Sequence, residues 1–156
     1  MIVMSLKRQI IIVLLTILSF SCNRNPSSPD GDTFLELKSF SFTAPIDSGS
    51  LKQETNIALY SSFHFVREDS YTIQTAQDLA DFNSLVDGSE QVSLSNLNSI
   101  TYFLFRGPFC SEYFQYYDHS YTGGTLTIRL AHYRKENIAC TALVYDNYYV
   151  FSGNKL

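Results

Sequence analysis

The chain has 156 residues, of which 45% are hydrophobic and 15% aromatic, with a formal net charge of −4; that is too apolar for a chain disordered throughout. Setting Lys7 and Arg8 apart leaves nine of its eleven basic residues against fifteen acidic ones, a balance that repels phosphate backbones and argues against nucleic acid as a partner. No G-x-S-x-G, H-E-x-x-H, C-x-x-C or phosphate-binding glycine loop occurs, so no catalysis, no cofactor and no metal ion is expected.

The N-terminus reads as an address rather than as part of a fold. Lys7 and Arg8 precede an uncharged run, IIIVLLTILSF from Ile10 to Phe20, which is short of the roughly 20 residues needed to span a bilayer and fits a signal-peptide core. Residues 1–21 are expected to be a signal peptide, with translation starting at Met1 or at Met4. Ser19-Phe20-Ser21-Cys22 resembles a bacterial lipobox, in which the cysteine sulfur receives a diacylglyceryl group and becomes the new N-terminus. Leu18 lies one position earlier than in that pattern, and Phe20 is bulky; ordinary signal peptidase would also accept Ser19 and Ser21. An odd cysteine count in an exported chain favours lipidation of Cys22 over a free thiol, since it leaves Cys110 and Cys140 as a pair. A disulfide between these two would tie the segment after one strand to a later hairpin; two buried thiols are the alternative.

Residues 22–32 read as a lipid-anchored tether. Asn23 to Asp32 (NRNPSSPDGD) has no apolar residue and would span about 15–20 Å as coil. Residues 33–156 are long enough for one ordinary domain. Phe34 to Phe42 alternates with a phase slip near Lys38-Ser39, predicting a strand with a bulge. Asp47-Ser48-Gly49-Ser50 is turn chemistry. Asn56 to Val66 predicts a long strand and Tyr71 to Ile73 a short one. A helix is expected over about 76–86: Thr75 caps it, Asp78 answers at N3, Leu79, Phe82 and Val86 share a face, and Gly88 closes it.

Beyond the helix the pattern returns to strands. Ile100 to Phe105 is a continuous apolar run, as a central buried strand requires. Thr125 to Leu130 alternates, predicting a half-buried strand. Lys135-Glu136-Asn137 is expected to turn into a strand over Ile138 to Val144, and Asp146-Asn147 into another over Tyr148 to Phe151. The expected fold class is α+β, a mostly antiparallel sheet with one packed helix.

The candidate binding segment is Glu112 to Tyr121, EYFQYYDHSY. Tyr113, Phe114, Tyr116, Tyr117 and Tyr121 would form a recognition patch for protein or glycan in an exposed loop, because tyrosine offers a large rigid contact area with a polar tip. In a strand, alternate rings would instead cover the core. Asp118-His119-Ser120 spells three triad residue types, but adjacent side chains diverge. Glu112, Asp118 and His119 match no known metal-ligand spacing. His64 is expected to be exposed on its strand, and His132 to cap the polar side of its own.

From Thr75 the order is a helix, an apolar strand ending at Gly107-Pro108, Thr122-Gly123-Gly124 opening an alternating strand, and a closing Tyr148 to Phe151. This resembles the C-terminal domain of PrcB-type lipoproteins, accessory subunits of a bacterial surface protease complex. Thr125 stands where that family has tyrosine, and Cys110 and Cys140 are additions. The resemblance implies an accessory protein–protein role without catalysis. The expected function is therefore a lipid-anchored binding domain of the bacterial envelope, facing periplasm or exterior, with another envelope or surface protein as partner. A small-molecule carrier with an apolar cavity, or an enzyme with a non-standard site that clusters His119, Asp118 or Glu112 with a partner distant in sequence, are the alternatives.

Overall fold

A computed structural model of the chain describes residues 31–60, 70–86, 91–108, 110–138 and 145–156. The expected signal peptide, lipobox and most of the tether lie outside these residues, as do His64, Gly88 and Cys140. Among the described residues, eight strands and one helix follow in chain order: β1 (Thr33–Thr43), a 3-10 turn (Ser48–Ser50), β2 (Lys52–Gln53), β3 (Ile57–Tyr60), β4 (Ser70–Ile73), α1 (Ala76–Ser84), β5 (Ile100–Arg106), β6 (Glu112–Thr122), β7 (Thr125–Arg134) and β8 (Tyr145–Asn154). The fold is mainly antiparallel sheet with a single helix among the described residues. No helix there is long and apolar enough to cross a membrane.

The strands form two sheets. β1, β7 and β6 make a three-stranded sheet in that order, while β8, β5 and β4 carry the second, whose β8 edge is shared by β2 and β3. The chemistry of β5 explains why the layers stack. Tyr102, Phe103, Leu104 and Phe105 are all buried, so this strand needs apolar cover on both faces. Phe103 and Phe105 turn to the three-stranded sheet and pack with Phe42, Phe114, Leu126, Ile128, Leu130, Tyr149 and Phe151. Tyr102 and Leu104 turn the other way, onto Phe82 and Val86 beyond the sheet, with Tyr148 and Val150 of β8 beside them.

The layer between the sheets is filled by phenylalanine rings. Phe105 lies 4.5 Å from Phe40, 5.2 Å from Phe42 and 5.6 Å from Phe151 between ring centroids, in tilted or edge-on geometry, the arrangement aromatic quadrupoles favour. Here the phenylalanines fill the interior rather than line a cavity.

The helix is capped as its sequence predicts. The Thr75 hydroxyl accepts from the Asp78 N–H at 3.1 Å, and the Asp78 carboxylate accepts from the N–H groups of Gln74 and Thr75 at 2.8 Å. These bonds hold the Asp78 carboxyl below its ordinary value of 3.8, the Gln74 contact contributing most. The helix ends at Ser84 rather than Val86, because the chain turns through Leu85 while Val86 still reaches the core. A few residues on, the Asn83 amide accepts from the Val92 N–H at 2.8 Å and donates to its carbonyl at 2.9 Å, replacing a strand partner for the extended segment that follows.

Three expectations need correction. The break in β1 lies between Phe34 and Glu36, not near Lys38-Ser39, and from Glu36 to Thr43 the register with β7 is unbroken. The apparent slip at Lys38 arises because Leu37 is an exposed apolar residue on the outer face. Asp146 and Asn147 form no turn: they lie within β8, opposite Leu59 and Ala58 of β3, since pairing supplies the backbone partners that a turn would otherwise provide. β7 continues to Arg134, past the expected Leu130, because it lies between β1 and β6 and is paired on both edges. β3 is described only over Ile57–Tyr60; the rest of the expected strand to Val66, and that over 139–144, fall outside the described residues.

Truncating Phe105 to alanine opens a void where four aromatic residues meet, and is expected to cost about 3–5 kcal/mol. Urea unfolding followed by far-UV dichroism measures it; a loss below about 1 kcal/mol would mean that the two sheets do not depend on this ring.

Candidate functional site

The Tyr-rich segment is strand β6, an edge of the three-stranded sheet, and not a loop. Gly123 and Gly124 both take positive φ, 59° and 80°, the two-residue turn that suits a twisted hairpin, and they set Thr122 opposite Thr125. From there β6 pairs with β7 down to Glu112, with one irregularity between Tyr116 and Asp118. Tyr117 is the extra residue of this bulge, and bulges re-aim side chains.

The structure divides the five candidate residues. Phe114 is buried in the layer between the sheets. Tyr121 packs against the same cluster and donates from its hydroxyl to the Ala44 carbonyl at 3.1 Å. Tyr113 lies on the outer face, stacked on Tyr133 at 5.5 Å, and donates to the Asp32 carboxylate at 2.8 Å, so the last residue of the expected tether is held against the sheet. Only Tyr116 and Tyr117 keep large exposed surfaces, 39% and 41%. The Tyr116 ring leans on Phe151 at 5.7 Å and lines a shallow pocket with Leu51, Lys52 and Gln53. Partial burial, with the Asp118 charge second, raises its hydroxyl above the ordinary value. Tyr117 lies under the Arg129 guanidinium at 5.6 Å, and Arg129 is also paired with Asp118.

Contacts from the second sheet make this edge rigid. The Tyr149 hydroxyl accepts from the Phe114 N–H at 2.9 Å, so a side chain takes the place of a neighbouring strand. Burial raises the Tyr149 hydroxyl above its ordinary value. Gly107 makes room for this ring: a Cβ there would come within 2.5 Å of Tyr149 Cε2, which explains the glycine at the end of β5. Further along, His119 lies 2.6 Å from the Tyr116 hydroxyl through Nδ1 and 3.1 Å from the Ser48 carbonyl through Nε2.

The other chemistry-bearing residues do not assemble into a reactive set. Asp118 and Ser120 face outward beside Arg129 and Thr127, while His119 turns to the opposite face, to Tyr116 and Ser48, so the histidine is directed away from both. Glu112 lies at the far end of β6 from Asp118 and His119. Among the described residues no group of three His, Cys, Asp or Glu side chains could hold a metal ion.

His132 is a correction with a cluster attached. It does not cap a polar side: it is buried, follows Leu126, Ile128 and Leu130 on the core-facing side of β7, and meets the Phe114 ring edge-on at 5.2 Å. Its Nε2 lies 2.8 Å from Glu112, and its Nδ1 lies 3.5 Å from Glu36. Arg134 donates to the other oxygen of Glu112 at 2.6 and 3.0 Å. The period-two alternation of β7, carried two residues further, was the signal for this inward placement. Cys110, in the turn two residues before β6, takes a φ of 63°, a conformation that costs a non-glycine residue about 1–2 kcal/mol unless its surroundings hold it.

Two open clefts lie beside the extended segment 91–96, on the helix side of the second sheet. One, about 390 Å3, is lined by Thr55, Ser93, Leu94 and Tyr102 among others; the next, about 380 Å3, shares Ile57 and Ser93 with it and ends at Gln91.

Arg134 first, then His132, hold the Glu112 carboxyl below its ordinary value of 4.5. A depressed carboxyl contributes stability that is fully present above the unfolded value and lost as pH falls through the folded one. Melting temperatures of the wild type and Glu112→Gln should therefore differ at neutral pH and converge as pH falls below about 4.5. A gap that stayed constant into acid would show that the pairing contributes nothing.

No family model matches the chain, and neither does any curated protein or solved structure.

Proposed function

We propose that the chain is an exported lipoprotein of the bacterial envelope, anchored through a lipid on Cys22, whose folded part is a non-catalytic accessory domain that binds another envelope or surface protein. The bulge of β6 is its contact surface. One observation carries this assignment: Tyr116 and Tyr117 are adjacent, each about two-fifths exposed, and set on a strand whose edge is fixed by Tyr149 and His119. Rigid tyrosines on a scaffold lose little entropy on binding, which is why such residues dominate interface energetics. The bulge sends one ring toward the pocket beside Phe151 and the other over the outer face, so a partner would clasp the sheet edge from both sides.

The N-terminal pattern supports the anchor, and the acidic balance of the chain disfavours adhesion to anionic lipid by charge alone. The order of α1, β5 followed by Gly107-Pro108, the two-glycine hairpin and β8 is the order on which the likeness to PrcB-type lipoproteins rests, and it is consistent with an accessory role. In this assignment Cys110 pairs with Cys140. A second reading, a small-molecule carrier, is favoured by the two clefts beside 91–96, whose sizes are those of ordinary ligand pockets. A bound molecule in native mass spectra of protein purified from its own host would move the function there.

Cross-linking the tagged protein in its native membrane should capture one stoichiometric partner, and Tyr116→Ser/Tyr117→Ser should reduce capture about tenfold or more, as losing two anchors implies, while leaving dichroism unchanged. Undiminished capture by a folded double variant would sink the assignment of this surface. Mass spectrometry of the intact protein should show the diacylglyceryl adduct and its loss in Cys22→Ala; an unmodified chain cleaved after Ser21 would refute the anchor.

A further inference from the structure

The two edges of the three-stranded sheet differ. On β6 the Phe114 N–H goes to Tyr149, His119 bonds to Ser48, and the strand bulges at Tyr117. β1 pairs with β7 along one edge, and among the described residues no strand pairs with the other. Its irregularity is confined to Phe34/Glu36, and the stretch from Glu36 onward is regular. Glu36, Leu37, Lys38 and Ser39 form the longest exposed run in the strand. Leu37 is 39% exposed, unusual for so large an apolar side chain, and the Glu36 and Lys38 side chains are 50% and 45% exposed. A regular, open strand edge is a template for another strand.

We propose that the occupant of this edge is β1 of a second copy, paired antiparallel about a two-fold axis at Leu37. Two identical strands related this way are self-complementary, each contact occurring twice. With the axis at Leu37, that leucine meets its symmetry mate, and Glu36 of each copy meets Lys38 of the other. Directly opposed residues in an antiparallel pair share a face. This register respects that rule: Leu37 lies on the outer face beside Ala131, and Glu36 and Lys38 share the opposite face, where they already form an ion pair at 2.8 Å. Moving the axis to Lys38 would oppose two lysines, and moving it to Glu36 would oppose two glutamates. Of these three, the register at Leu37 alone buries the exposed leucine against an equal and alternates the charges. The same lysine would guard the edge in an isolated copy, so association is weak and specific for register.

The test uses the full chain in detergent, with the unsubstituted protein as the thiol control. Leu37→Cys should cross-link to a dimer with a short bismaleimide, since opposed Cβ atoms lie about 5 Å apart. Thr43→Cys should not, because its symmetry mate would be about 40 Å away. Added to Leu37→Cys, either Glu36→Lys or Lys38→Glu opposes like charges twice and should lower the cross-linked yield about tenfold. The double swap Glu36→Lys/Lys38→Glu should restore it. Because Glu36 also faces His132, the Lys38→Glu arm and the swap keep the test valid if Glu36→Lys folds poorly. Three results would overturn the proposal: equal cross-linking at positions 37 and 43, indifference of the Leu37→Cys dimer to Lys38→Glu, or a folded double swap that stays monomeric.

Discussion

Everything in this fold turns on the double burial of β5 and β8. Phe103 and Phe105 on one face and Tyr102 and Leu104 on the other are removed from water together, and β8 repeats the pattern with Tyr149 and Phe151 against Tyr148 and Val150. A pair of strands apolar on both faces cannot be satisfied by one covering layer. The three-stranded sheet therefore lies over one face, and α1 with the segment after it lies over the other. The aromatic rings between the sheets make the contact close: with centroids 4.5–5.6 Å apart, a slip of either sheet would break several tilted or edge-on pairs at once.

The same constraint produces the candidate surface. β6 lies over β8 rather than over β5, which brings Tyr149 under its edge and Phe151 under Tyr116. A hydroxyl at the end of a core ring takes the Phe114 N–H, so the edge is closed at that point without a neighbouring strand. Closing one part of the edge and bulging the next leaves two tyrosines turned out of a rigid frame. β1, on the other side of β7, has no such contact among the described residues, and its charges and its exposed leucine stand along a regular edge. The sheet thus offers two chemically different margins: aromatic side chains on one, and self-complementary backbone and charge on the other.

The polar cluster around His132 belongs to the same accounting of faces. Its position continues the inward row of Leu126, Ile128 and Leu130, where the layer between the sheets runs out and water returns. Glu112 of β6 bonds the imidazole Nε2 at 2.8 Å, while Glu36 of β1 comes no nearer than 3.5 Å to Nδ1, which is buried without a hydrogen-bond partner. Arg134 satisfies the remaining oxygen of Glu112. Read alone, three charged residues and a histidine spread over a hundred positions suggest nothing; pairing with β7 brings them together at the end of the sheet.

Periodicity and local capping needed only neighbouring residues, and those features were legible in the chain itself: the Thr75/Asp78 box, the buried run of β5, the two-glycine hairpin and the α+β class. The fate of the aromatic segment was not legible, because alternation in EYFQYYDHSY is compatible with a loop or a strand, and a bulge changes its phase at Tyr117. The location of the slip in β1 is hidden in the sequence for a similar reason, since an exposed Leu37 cannot be told from a buried one without knowing what lies across the sheet. Asp146-Asn147 has turn composition, and only β3 beside it makes it strand. What the chain determined by itself is its local geometry and its hydrophobic faces, which depend on residues a few positions apart. Which tyrosines remain exposed, which edge stays open and which carboxylates meet His132 were decided by tertiary structure, because each depends on a partner strand distant in sequence.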